Sequence, residues 1–206
     1  ICDIYQDSIN NIQNTFKSKY IEETKDCGST MISCIVDYLN NKVHFFNLGD
    51  SRILCIDNNN NIKYVSQDHK PESKIEKERL EKENHKIVYD SEDKVYRVDG
   101  YSLSRSIGDC NYKSIIQVVD CTSMNIKDIK KIILACDGIW DVLSNKKIVD
   151  LLRSTSKAYE ITYLTSFVLV ADMFNNFRDN CQNLTKVEDL TASGLAWDAL
   201  IIKNTS

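Results

Sequence analysis

Proline and glycine are scarce. One proline, Pro71, and six glycines occur in 206 residues. That leaves little linker material, and one domain spanning residues 1–206 is expected. No run reaches the ~20 apolar residues that a membrane span requires; "LTSFVLVADMF" is too short and reads as a buried helix. No signal peptide is expected from the residues given, which start at Ile1 rather than Met. Neither charge sign dominates: 26 Lys and Arg stand against 30 Asp and Glu, for a net charge of -4. Without a basic stripe, such a chain is a poor partner for nucleic acid. No C-x-x-C pair exists among the eight cysteines, most of which sit in apolar runs. Eight reduced thiols in a cytosolic or nuclear protein are expected, rather than a disulfide framework or a zinc site. The sequons at Asn183 and Asn204 have no secretory context to support them. There is no G-x-S-x-G elbow, no C-x5-R loop and no P-loop, so nucleophilic Ser or Cys catalysis has little support.

What remains is a globular composition, 42% hydrophobic and 27% charged, sufficient for a sizeable core. Spaced apolar residues Ile4, Ile9, Ile12 and Phe16 predict an amphipathic helix within 4–26. Four strand-like runs follow, "MISCIVDYL", "KVHFFNLG", "RILCID" and "IKYVS", with short turns between them, including Asp50-Ser51. They predict an antiparallel meander. Pro71 stands where the first residue of a solvent-facing helix with Ile75 and Leu80 would be. A hairpin is predicted around Ser91-Glu92-Asp93. "KKIILAC" reads as a buried strand, helices as 144–154 (capped by Ser144) and 158–181, and "GLAWDALIIKN" as a last strand. Hairpin-connected strands and grouped helices make the class α+β.

Three acids interrupt or end apolar runs: Asp50 after "FFNLG", Asp137 after "IILAC" and Asp198 within "LAWDALII". A buried, unpaired carboxylate is costly. A shared divalent cation would offset that cost, and hard oxygen donors suit Mg²⁺ or Mn²⁺. Each acid also has an ordinary reading. Asp50-Ser51 and Asp137-Gly138 make good turns, Asp198 suits a satisfied strand-end acid, and Asp141 suits a helix start. His44 and His85 read as ordinary strand and helix-end residues, and His69 as a turn residue rather than a ligand or base.

Seven blocks in order, "CGST" (27–30), "NLGDSR" (47–52), "QDHKP" (67–71), "EKERL" (76–80), "RVDG" (97–100), "LSRSIGDCNYK" (103–113) and "ACDGIWDVLS" (135–144), resemble the metal-dependent type 2C protein serine/threonine phosphatases. The resemblance implies a central sandwich of two antiparallel β-sheets flanked by helices. It implies two Mg²⁺ or Mn²⁺ ions, with a third in some members, and a water that attacks phosphorus. Asp137 and Asp198 correspond to metal ligands at the catalytic site. Asp50 and Asp141 match acids that, with Asp137, hold the weaker third ion. Phosphorylated proteins are the implied substrates, with neither nucleic acid nor a membrane span, and a monomer when complete.

Two departures accompany the resemblance. The family's N-terminal portion, with further metal ligands and a phosphate-binding arginine, has no counterpart in residues 1–26, so the domain is expected to be N-terminally incomplete. The usual Asp-Asn pair near the C-terminus is Asp198-Ala199. The alternatives are a pseudophosphatase or binding scaffold of the same fold, or a metal-binding regulatory fragment that assembles with another chain.

Overall fold

A computed structural model describes residues 1–154 and, through its backbone, the strand 199–203. These residues fall into two compact units, one of residues 1–51 and 66–126, the other of 52–65 and 127 onward.

The first unit opens with α1 (Cys2–Lys19) and the short α2 (Ile21–Thr24), which are separated at Tyr20. Strand β1 (Gly28–Ser29) pairs antiparallel with β8 (Ile107–Gly108). Strands β2 (Met31–Asp37), β3 (Lys42–Leu48) and β9 (Asp120–Asn125) form an antiparallel sheet with β3 in the centre. Central placement explains the composition of β3: from Val43 to Leu48 every residue is buried, so it shows no alternation. Two glutamines seven residues apart fix α1. The Gln13 side-chain amide donates to the Gly108 carbonyl and accepts from the Gly108 N–H, both at 2.8 Å. Gln6 donates to the Gln117 carbonyl at 2.7 Å and accepts from the Val119 N–H at 2.8 Å. Next to Gln6, Tyr5 stacks on Phe46 with ring centroids 3.8 Å apart. Helix α3 (Lys74–Lys82) follows Ser73, and the hairpin of β6 (Ile87–Asp90) and β7 (Val95–Val98) follows α3. Leu80, Val98 and Ile115 form a small core there.

In the second unit, β4 (Arg52–Ile56), β5 (Ile62–Val65), β10 (Lys131–Ala135) and β11 (Ala199–Lys203) form an antiparallel sheet in the order β11-β10-β4-β5. All five residues of β10 are buried. After β10 come α4 (Asp137–Trp140) and α5 (Asn145–Ser154). Their apolar faces close a core of Leu54, Ile56, Ile133, Ile139, Trp140, Leu143 and Ile148, among others.

The α+β class with antiparallel sheets and flanking helices is as expected, and so are the hairpin, the strand after "KK" and the Ser144 cap, whose hydroxyl accepts from the Lys147 N–H at 3.2 Å. The meander is not formed. Its four runs divide between two sheets, because Gly49 at φ +115° turns the chain out of β3 and β4 then pairs with β10. Pro71 lies three residues before α3, in the turn that leads to it. Nor is α3 merely solvent-facing: Ile75 is exposed, while the acid Glu76 and Leu80 are buried. The expectation of eight thiols is corrected at one pair. The start of α1 lies against β9, where Cys2 and Cys121, with Cα atoms 6.0 Å apart, form a disulfide. The segment 158–181 lies outside the described residues. Among the described residues no helix is long and apolar enough to cross a membrane.

Leu54 is 0% exposed in the centre of its core. Leu54→Ala is expected to cost about 2–5 kcal/mol, read as a lower urea midpoint with an unchanged m-value.

Candidate functional site

In the second unit, β10 delivers the chain to Cys136, which caps α4, so Asp137 is the first residue of that helical turn. The Cys136 carbonyl accepts from the Ile139 N–H at 3.1 Å, and the Asp141 N–H donates to the Asp137 carbonyl at 2.8 Å. Asp137-Gly138 is therefore a helix start rather than a turn, and Asp141 is a helix end rather than a start. Trp140 ties this turn to the strand: its indole N–H donates to the Ala135 carbonyl at 2.6 Å. The Arg52 guanidinium lies over the same ring, 5.1 Å from its centroid, and also donates to the Asn145 side chain at 2.9 Å. Asp137 and Asp141 are both exposed. At positions i and i+4 they share a helix face, where like charges are unfavourable and a cation is welcome. Their carboxylate oxygens are hard donors, chemically suited to Mg²⁺ or Mn²⁺. Among the described residues no group of three potential metal ligands gathers. Asp198 lies outside the described residues; the strand that follows it begins with Ala199, paired with Ala135 two residues before Asp137.

Asp50 belongs to the first unit, where it is 5% exposed beside the equally buried Ser51. The Ser51 hydroxyl shares a hydrogen bond of 2.8 Å with the Thr30 hydroxyl. The preceding residue is held tightly. A Cβ on Gly49 would stand 2.4 Å from a Thr30 methyl, and φ is +115°. The Gly49 N–H donates to His69 Nδ1 at 2.9 Å, and the Gly49 carbonyl accepts from the His69 N–H at 3.0 Å. A backbone N–H can only donate, so His69 Nδ1 carries no proton. The ring's proton is on Nε2, which donates to Asp120 Oδ2 at 3.1 Å. Asp120 Oδ1 accepts from Arg105 Nη1 at 2.9 Å. The remaining edge of Arg105 donates through Nε, at 2.9 Å, and Nη2 to Glu76 Oε1. Glu76 Oε2 accepts from the Ser104 hydroxyl at 2.8 Å and from Arg79 Nη2 at 3.1 Å. His69 and Glu76 are each 1% exposed.

Burial works to raise the Glu76 pKa, but hydrogen bonds from Arg105 and Ser104 and the charges of Arg105 and Arg79 outweigh it, leaving Glu76 below the ordinary carboxylate range. Asp120 is also lowered, first by its hydrogen bond with His69 and then, against burial, by the charge and hydrogen bond of Arg105.

His69, expected as a turn residue, is buried, and reading the sequence missed the network to which it belongs. The signal was nonetheless present. His69 stands in "QDHKP", Glu76 and Arg79 in "EKERL", Ser104 and Arg105 in "LSRSIGD", and the network is where those blocks meet. His44 behaves as expected of a strand residue, with Nδ1 2.7 Å from the Ser123 hydroxyl. A groove of about 490 Å³ lined by Glu72, Lys77, Glu81, His85, Ile87 and Tyr96 contains none of the candidate ligands.

A family model described as Protein phosphatase 2C matches residues 2–183. The chain belongs to the protein phosphatase 2C family. Protein phosphatase 1A of Homo sapiens is 28% identical over 201 aligned residues, which cover 84% of this chain and 50% of that protein. The chain therefore spans about half the length of the curated relatives it matches first. Among solved structures, a C. elegans sex determining protein superposes with a TM-score of 0.67 at 22% identity, over 80% of this chain and 41% of that one. A serine-threonine phosphatase 2C from Toxoplasma gondii gives 0.65 at 20% identity, over 86% and 60%. The protein phosphatase 2C fold accounts for the antiparallel sheets and for the order of the seven blocks.

The lowered pKa of Glu76 makes this family member's stability depend on pH. A carboxylate whose pKa is lower in the folded state stabilises above its unfolded value, about 4.3, and loses that contribution as pH falls through the folded value. At pH 7, Glu76→Gln removes the buried one of the two carboxylates that pair with Arg105, leaving it only the more exposed Asp120, and is expected to cost about 3–5 kcal/mol. Urea unfolding at descending pH should show the gap from wild type narrowing below about pH 4.

Proposed function

We propose that this chain is part of a metal-dependent protein phosphatase that hydrolyses phosphoserine and phosphothreonine. Asp137 and Asp198 serve as ligands of Mg²⁺ or Mn²⁺ at the catalytic site, and Asp50 and Asp141 as ligands of a further, weaker ion. When bound, such ions neutralise phosphate charge and lower the pKa of a water that attacks phosphorus. The chain's own contribution is positional. Strand β10 and the Trp140–Ala135 hydrogen bond hold α4 so that Asp137 and Asp141 present carboxylates one turn apart. The placement of Asp137 at the tip of a fully buried strand carries this reading.

Phosphorylated proteins are the proposed substrates, the cytoplasm or nucleus the proposed location, and a monomer the proposed state of the complete protein. We further assign residues 1–206 to one catalytic domain. A non-catalytic member of the same fold is the second reading. Ala199 favours it, because this residue of β11 replaces the family's asparagine beside a metal-binding aspartate.

Phosphopeptide hydrolysis by the full-length protein in Mn²⁺ separates the two. The expected result is activity that EDTA abolishes and that Asp137→Asn lowers by about 100-fold or more. Activity indifferent to both would overturn the phosphatase mechanism, and a full-length protein inactive in Mn²⁺ would favour the scaffold.

A further inference from the structure

The network that starts at Glu76 ends on the backbone of the residue before Asp50, and that end is built in an uncommon way. The Gly49 amide group is engaged on both sides by one residue: its N–H by the His69 ring and its carbonyl by the His69 backbone N–H. The Asn47 side chain reinforces the same turn, donating to the Gln67 carbonyl at 2.7 Å. The ring cannot rotate freely, because Nε2 is committed to Asp120 and Asp120 to Arg105. Arg105 in turn is fixed by two donors to Glu76. The His69 carbonyl is held as well, by the Ser104 N–H at 2.9 Å.

We infer that His69 is a positioning residue: through Nδ1 it fixes the Gly49 amide and so sets the direction in which the Asp50 carboxylate leaves β3. Its consequence for metal use rests on the phosphatase reading above; its effect on the turn does not. A carboxylate that must meet an ion binds best when its approach is already set, and partners that orient a ligand are worth about 10–100-fold in metal affinity. The chemistry assigns the two ring nitrogens separate duties. Nδ1 accepts from Gly49, and Nε2 only keeps the ring turned to do so.

That division gives a test with isosteric variants of the full-length protein. An asparagine at 69 places its side-chain oxygen near the position of Nδ1 and can accept from Gly49. A glutamine places its amide near Nε2 and reaches Asp120 instead. Hydrogen exchange at the Gly49 amide, measured by NMR, reads the turn directly, with or without metal. His69→Ala and His69→Gln are expected to speed Gly49 exchange at least 10-fold, whereas His69→Asn stays within about three-fold of wild type. In phosphopeptide hydrolysis, the Mn²⁺ concentration for half-maximal rate is expected to rise about 10-fold in the Ala and Gln variants, with a smaller change in the maximal rate, and to recover in Asn. Should the Ala variant not fold, the Asn–Gln contrast carries the same comparison. Gly49 exchange as slow in Gln as in Asn, or unchanged in Ala, would overturn the inference. A wild-type protein without Mn²⁺-dependent hydrolysis would instead sink the phosphatase reading, leaving the exchange pattern to decide the role of His69.

Discussion

A carboxylate sealed from water must be matched by positive charge and hydrogen bonds. In the first unit that requirement organises everything around Glu76. One acid at 1% exposure faces two arginines and a serine, and each of those is tied to a different stretch of chain. Arg79 also reaches the Ser114 carbonyl, and Arg105 the Val118 carbonyl, so the charges that neutralise Glu76 also satisfy the irregular segment between β8 and β9. Few regular elements cover that segment. Its shape comes from polar contacts that would be lost together if the central acid were removed.

The second unit uses the opposite means. Its sheet and helices close a largely aliphatic core, and one polar contact marks the place where β10 ends. There an indole does two jobs: its ring fills the core while its N–H satisfies the strand's last carbonyl. The helical turn that follows inherits the position of the strand. An acid placed first on such a turn is thus held by burial elsewhere, with its own residue left exposed and able to meet a ligand.

Local patterns were legible where one interaction type dominates. The continuous apolar runs of β3 and β10, the hairpin between Asp90 and Val95, and the Ser144 cap follow from periodicity and turn chemistry. Pairing was not legible. Nothing in "NLGDSR" says that β3 and β4 part company, since Gly49 suits a hairpin as well as a departure from the sheet. The helix α3 misled for a similar reason. Hydrophobicity places Ile75 inside and Glu76 outside, but Arg79 on the same helix and the distant Arg105 reverse that order. His69 was misjudged because its partners, Asp120 and the Gly49 amide, are 51 and 20 residues away. The candidate acids drew notice because a charge at the end of an apolar run is conspicuous. The buried polar network around Glu76 did not, because polar side chains inside charged blocks look like surface.

The topology also has a kinetic side. Strand β10 occupies the middle of its sheet, yet one neighbour, β4, is made some 75 residues before it and the other, β11, some 72 residues after, as the register of Lys131 with Ile56 and Lys203 shows. Most of the ladder is therefore closed across long spans of chain, the slow kind of assembly. While the ribosome works through the residues that separate β10 from β11, five consecutive aliphatic and basic positions offer an unpaired edge to whatever is nearby. The nascent chain is most exposed to mispairing during that interval, and a chaperone would have the most to protect there.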